Sequence, residues 1–303
     1  MKTKLVLGYC CINTELRKRG IFSSRTLRLR TLQEKGMEYL YSLIDRNIED
    51  TFCLMEWNHA HQIYNFRISS ELMPFASHPD YYDTFDMSRF ADSLRRLGDF
   101  AKEHKQYVSF HPGQYNQLTS VRDSVIEKTV HDLDTHARIL DLMGFPDAPI
   151  IIHGGARGRS KEESLERFKC NFKLLSESTR RKLVVENDEI VYTVKDLLPL
   201  GLPVVFDTHH HNLNPGGMSP EDAAKLCADT FISRNKVPLM HISESRESVK
   251  PTDSITARRA HSDFVSSIPE YLWNLGVEKI YIDIEAKMKE QAVLKLMQLN
   301  NLD

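Results

Sequence analysis

The 303-residue sequence has no run of apolar residues approaching the ~18 that a membrane span requires, so no part of it is expected to cross a bilayer. It also lacks any C-x-x-C pair. Its five cysteines, Cys10, Cys11, Cys53, Cys170 and Cys227, are odd in number and scattered, which argues against a disulfide framework or a zinc ribbon and for a reducing compartment. No G-x-G-x-x-G follows an early strand candidate, and the commonest signature of a dinucleotide-binding open sheet is thereby removed. Low-complexity tracts, strong linkers and internal repeats are missing too, so residues 1–303 read as one folded domain. Neither sign of charge dominates: a formal net charge of -2 argues against a general binder of polyanions. The opening MKTKLVLGYCCINTELRK sets two lysines before an apolar run, as a signal peptide does. It has no small-residue cleavage site, and Glu15 and Arg17 follow at once, so the expected location is the cytoplasm, or the nucleus of a eukaryotic cell.

What is present is a rhythm of short apolar runs and amphipathic segments. The strand candidates are LVLGY (5–9), IYNFRI (63–68), YVSF (107–110), PIIIH (149–153), LVVE (183–186), VVFD (204–207), PLMHI (238–242) and KIYIDI (279–284). Between them, 46–61, 87–104 and 132–144 repeat apolar residues at three- and four-residue spacing and predict helices. Nearly continuous apolar strands alternating with helices imply a parallel sheet covered on both faces, and the count of eight favours closure into an α/β (β/α)8 TIM barrel over an open doubly wound sheet. Local charge is less even than the total. Residues 17–30, RKRGIFSSRTLRLR, hold six arginines or lysines and no acid, and smaller basic groups recur at Arg157, Arg159 and Lys161 and at Arg246, Lys250, Arg258 and Arg259.

Barrel enzymes place their chemistry at the C-terminal ends of the strands. There the third strand is followed by His111, the fourth ends in His153, the fifth in Glu186 and the sixth in Asp207. The seventh carries His241, and the eighth is followed by Glu285. A lone strand-end histidine is usually structural, but six strands in succession delivering His, Asp or Glu to one rim would be costly to bury without a cation between them. Carboxylates and imidazoles without thiolates suit manganese or zinc. With His210 and His261 the supply is eight ligands, more than one zinc takes, so two or three divalent ions are expected, with Glu186 bridging. Behind Asp207, the histidines of the run THHHN are expected in a loop, with the binding member unspecified. Clustered ions suit in-line attack at phosphorus, with one ion activating a water and another stabilising the leaving oxygen, so phosphodiester hydrolysis is the leading chemistry.

The segments GYCCIN (8–13), RNIEDTFCLMEWN (46–58), FRISSELMPFASH (66–78), HPGQYNQLTS (111–120), IIHGG (151–155), ENDE (186–189), FDTHHHN (206–212), HIS and AHSDF (260–264) together resemble the ultraviolet damage endonucleases across nearly the whole chain. The resemblance implies a TIM barrel related to the endonuclease IV type of apurinic nuclease. It implies a monomer that nicks double-stranded DNA immediately 5' of pyrimidine dimers or 6-4 photoproducts, and at some abasic sites, with manganese as the ion. Carried over by position, His111, His153 and Glu186 would hold one ion, Glu186, Asp207, His241 and Glu285 a second, and His210 with His261 a third. Glu186, His241 and Glu285 would carry the catalysis. Gln114 and Tyr115 would form a wedge in the duplex, Tyr9 and Asn13 would contact the displaced lesion, and Arg67, Ser69 and Ser70 would meet phosphates. One departure concerns a lysine that some relatives carry two residues before the seventh-strand histidine, because Leu239 stands there. Two rivals remain: a metal-dependent sugar isomerase or epimerase on the same kind of barrel, and a lesion-binding protein that does not cut.

Overall fold

Eight short strands pair in sequence order, every neighbour parallel, and the eighth closes on the first. A computed structural model describes residues 2–302 of the chain. The strands are β1 (Lys4–Cys10), β2 (Asn65–Ile68), β3 (Tyr107–Phe110), β4 (Ile150–His153), β5 (Leu183–Glu186), β6 (Val204–Asp207), β7 (Leu239–Ile242) and β8 (Lys279–Ile284). Closure removes both sheet edges. The expected (β/α)8 barrel is therefore the fold, and the strand bounds differ from the sequence reading by no more than two residues.

Alternation along the strands divides each into an outer and an inner set. Phe66, Val108, Phe110, Ile150, Ile152, Leu183, Val185, Val204, Phe206, Met240, Ile280 and Ile282 face outward and join one large cluster beneath the helices. The inner set changes character along the barrel axis. At the N-terminal end, Ile151, Val184, Val205 and Leu239 pack with Tyr107 and Tyr281, whose rings stack at 3.8 Å between centroids, and together they plug the bottom. Leu239 is thus fully buried filler in this layer, a role its apolar side chain suits and a metal ligand's would not. Higher up come Asn65, Ser109 and Asp283, all fully buried. At this level β1 approaches β2 so closely that a Cβ on Gly8 would lie 1.9 Å from the Asn65 carbonyl oxygen, so only glycine fits.

Two of the three predicted helices begin earlier than their patterns. The helix over 46–61 runs Met37–Ala60, because Leu40, Tyr41 and Ile44 continue its buried face. Gly36, at φ 78°, makes the turn that separates it from the short helix Leu29–Lys35. That over 132–144 begins at Asp123, with Ile126 and Thr129 buried on the same side. The segment 87–104 starts as a tight 3-10 turn, capped by Asp86, and continues as a helix through Glu103. Among the described residues no helix is long and apolar enough to cross a membrane.

Candidate metal centre

Glu186, the last residue of β5, is buried where the inner faces of four other elements converge. Its Oε2 accepts from His111 Nε2 at 2.8 Å and lies 3.9 Å from His153 Nε2. Its Oε1 accepts from His241 Nδ1 at 3.0 Å and lies 3.3 Å from His210 Nδ1. Ligand atoms of His111, His153 and Glu186 lie within 4.8 Å of one another, and so do those of Glu186, Asp207 and His210. The ladder explains part of this convergence: His153 pairs in register with Glu186, and Asp207 with His241, so these four side chains leave the strands at matching heights.

Asp207 ends β6 and caps the short helix Thr208–Leu213, its Oδ1 accepting from the His210 amide at 2.7 Å. The expected loop is therefore a helix, begun by the strand-end aspartate itself. Helical geometry then turns only one of the three histidines toward Glu186. His210 faces it, while His209 Nε2 donates to the Arg258 carbonyl at 3.1 Å and His211 Nε2 to the Met218 carbonyl at 3.1 Å. Asn187 locks the arrangement, since its side chain accepts from the Asp207 amide at 2.9 Å and donates to the Asp207 carbonyl at 3.2 Å.

Electrostatics divide the roles. Burial drives the Glu186 carboxyl upward, yet His241, His153 and the hydrogen bonds from His111 and His210 outweigh it, and the group is held well below the usual carboxylate range. Burial likewise opposes charge on His241, but Glu186 and Glu285 overcome it and lift the imidazole to about 9. His210 is raised too, against burial, by Asp207, Glu186 and Glu189. His111 goes the other way, burial lowering it more than Glu186 restores. Glu285 is pulled down against burial chiefly by Arg67 and His241. Without an ion, the site balances its carboxylates with protons on imidazoles and with one guanidinium. That arrangement fits a divalent cation: Asp207, a member of one ligand group, keeps its Oδ2 buried with no hydrogen-bond partner among the described residues, and the candidate donors are oxygen and imidazole nitrogen throughout.

A family model described as "UV-endonuclease UvdE" matches residues 5–303. The chain belongs to the UvdE family. It is 40% identical to a UV-damage endonuclease of Schizosaccharomyces pombe over 96% of its own length, and it spans about half, 50%, of that relative. A putative UV-damage endonuclease of Acanthamoeba polyphaga mimivirus is 33% identical, with 96% of this chain and 89% of the viral one covered. The crystal structure of SacUVDE superposes with a TM-score of 0.83 at 33% identity, covering 99% of this chain and 98% of that one.

Within this UvdE-family barrel several residues sit elsewhere than expected. His210 groups with Glu186 and Asp207 rather than with His261. His261, held by a bridge to Ser245, lies 3.8 Å from Glu285 Oε2 instead. Tyr9 is fully buried on the outer face of β1, donating to Asn58 Oδ1 at 2.7 Å, because strand alternation turns it away from the barrel mouth. Asn13, also buried, caps the helix Thr14–Lys18 through its side-chain oxygen. Neither presents a surface to a lesion. Arg67 points inward from β2 and pairs with Glu285 at 2.6 Å and with Asp283 at 3.8 Å, so carboxylates already balance its charge. Ser69 is buried, its hydroxyl accepting from the Glu71 amide, whereas Ser70 is half-buried beside a cavity of about 550 Å³. Gln114 and Tyr115 stand at an exposed tip, Tyr115 with 82% of its surface free. Two acids escaped the sequence reading. Glu189 Oε2 lies 3.7 Å from His210 Nε2, and Asp283 on β8 lies two residues before Glu285, which directly follows that strand. The signal for Asp283 was in KIYIDIE, where a period of two puts both acids on one side.

Proposed function

We propose that the chain is a metal-dependent DNA repair endonuclease that nicks duplex DNA immediately 5' of ultraviolet photoproducts, and at abasic sites. The observation that carries the reading is Glu186, a carboxylate reached by histidines from four separate segments and shared by two ligand groups. In this reading His111, His153 and Glu186 hold one ion, and Asp207, His210, His241 and Glu285 converge with Glu186 on a second. His261 beside Glu285 is the start of a third position, and manganese is the proposed ion. Bound divalent ions would supply charge neutralisation of the phosphate and an acidified water.

The chain's own residues do the rest. Glu186 stays ionised in the buried mouth of the barrel and gathers the imidazoles at fixed height. Arg67 balances Glu285 and Asp283 while leaving the rim clear. Tyr115, exposed next to Gln114, offers a ring for stacking where damaged bases leave the helix, and unstacking costs least at a lesion that already weakens pairing. Around the same mouth, Arg17, Lys18, Arg19 and Arg28 of the β1 connection are exposed and have no ion-pair partner among the described residues, which suits phosphate contacts that position the duplex without reading sequence. Arg25 is excepted, since it is bound to Asp50 at 2.6 Å.

The decisive assay is conversion of ultraviolet-irradiated supercoiled plasmid to open circles with and without manganese. Nicking is expected only with irradiation and metal together, and Glu186→Gln should lower it by at least ~100-fold while binding of irradiated DNA persists. Undiminished cleavage by the variant would remove the reading. No cleavage by the wild-type protein, with turnover of a ketose or aldose instead, would favour a sugar isomerase.

A further inference from the structure

Asp283 is a fully buried carboxylate that neither ligand group contains. Its Oδ1 accepts from Asn65 Nδ2 at 2.9 Å. Its Oδ2 has no hydrogen-bond partner among the described residues, and the groups beside it are His241 Nε2 at 3.5 Å and Arg67 Nη1 at 3.8 Å. His241 Nε2 is likewise without a partner. The two side chains meet because the parallel ladder pairs His241 of β7 with Asp283 of β8, so backbone register sets their separation. The other ring nitrogen of His241 faces the centre, with Nδ1 3.0 Å from Glu186 Oε1 and 3.4 Å from Glu285 Oε1.

An imidazole can present a lone pair to a cation from one nitrogen only while the other carries the proton, and the acceptor behind the ring decides which nitrogen that is. Arg67 does not satisfy Asp283 fully, since its close contact is with Glu285 at 2.6 Å. Leaving one oxygen of a buried carboxylate without a partner is costly, and the ring N–H of His241 is the donor placed to relieve that cost.

We propose that Asp283 is a positioning residue that accepts the Nε2 proton of His241 and so directs the Nδ1 lone pair toward the ion shared with Glu186 and Glu285. The proposal rests on the metal-centre reading and concerns a residue outside the ligand set. Asn65 belongs to the same device by fixing the Asp283 carboxylate, and its contribution is to packing rather than to the ring.

The test compares Asp283→Asn and Asp283→Ser with Asn65→Ala. Mn2+ affinity would be measured by equilibrium dialysis and the melting temperature with the metal stripped by chelator. The amide of Asp283→Asn keeps the volume and can still accept from Asn65, but it turns no anionic acceptor toward Nε2. Its Mn2+ affinity should fall about 10- to 100-fold. The metal-free melting temperature should stay within about 4 °C of wild type. Asn65→Ala should do the reverse, lowering the metal-free melting temperature while changing Mn2+ affinity much less. An Mn2+ affinity of Asp283→Asn equal to wild type would overturn the proposal, as would a loss that merely tracks falling stability or the failure of both Asp283 variants to fold. The outcomes also separate from those of the nuclease reading. A wild-type protein that binds Mn2+ but leaves irradiated plasmid intact defeats the nuclease and spares Asp283, whereas equal Mn2+ dependence of nicking in wild type and Asp283→Asn defeats Asp283 alone.

Discussion

His241 links charge and stability to the proposed metal centre in a single side chain. Its imidazole is raised to about 9, so in the metal-free protein it contributes stability that is complete below the ordinary histidine value of ~6.5 and is lost as pH climbs through about 9. Glu186 has the opposite sign: its depressed carboxyl stabilises the fold above the ordinary glutamate value and ceases to do so as pH falls through its lowered one. Thermal melts in chelator should therefore show a falling melting temperature between pH 6.5 and 9, and His241→Ala should flatten that slope. Metal must displace the same proton, so Mn2+ affinity should strengthen with pH across the window and proton release should accompany binding. The histidine run gives a second residue-scale prediction. His210→Ala should weaken Mn2+ binding by at least ~10-fold. His211→Ala and His209→Ala should instead leave metal affinity near wild type and cost about 1–3 kcal/mol of stability, the range for leaving a buried partner unsatisfied. That division could not be read from THHHN, because a run of identical residues acquires distinct directions only when a helix assigns them.

At the scale of elements, the loop after β3 is a rigid mount rather than a flexible finger. Asn116, next to the exposed Tyr115, donates to the Gly113 carbonyl at 3.1 Å and to Asp132 Oδ2 at 2.7 Å on the helix Asp123–Leu142. Ser77, from the loop after β2, donates to Asp132 Oδ1 at 2.7 Å, so one carboxylate anchors two rim loops. Tyr115→Ala should leave the melting temperature unchanged and reduce nicking of irradiated plasmid by about 10-fold, the stacking of one base on one ring. Asp132→Ala should reduce nicking as well, through a higher KM with kcat less affected, because it loosens the mount without removing the ring. Steady-state kinetics on a lesion-bearing oligonucleotide check both. HPGQYN marked this tip in the sequence by its position behind a strand, yet its stiffness depends on Asp132, a residue with no motif around it. Tyr9 and Asn13 show the opposite case: their motif was legible, but strand alternation and a helix cap turned both inward.

For the whole molecule, a net charge of -2 hides cations gathered on the connection after β1. Affinity for irradiated duplex should therefore fall steeply with salt despite the near-neutral total, and replacing Arg17, Lys18 and Arg19 together should make the log-log slope shallower by about 0.9 for each phosphate no longer neutralised. Fluorescence anisotropy at several salt concentrations measures it. The sequence by itself determined the barrel and the family, and it named the His, Asp and Glu residues at the strand ends. Strand alternation, helix periodicity and the side chain at each strand end are local properties, and eight apolar strands buried on both faces have few ways to close. Only the tertiary structure decided which candidate ligands gather around Glu186, which histidine of three turns inward, that Arg67 pairs with Glu285, and that Asp283 stands behind His241. Those relations join residues from different strands across the barrel, and their distances are set by register and closure, which no stretch of chain encodes alone.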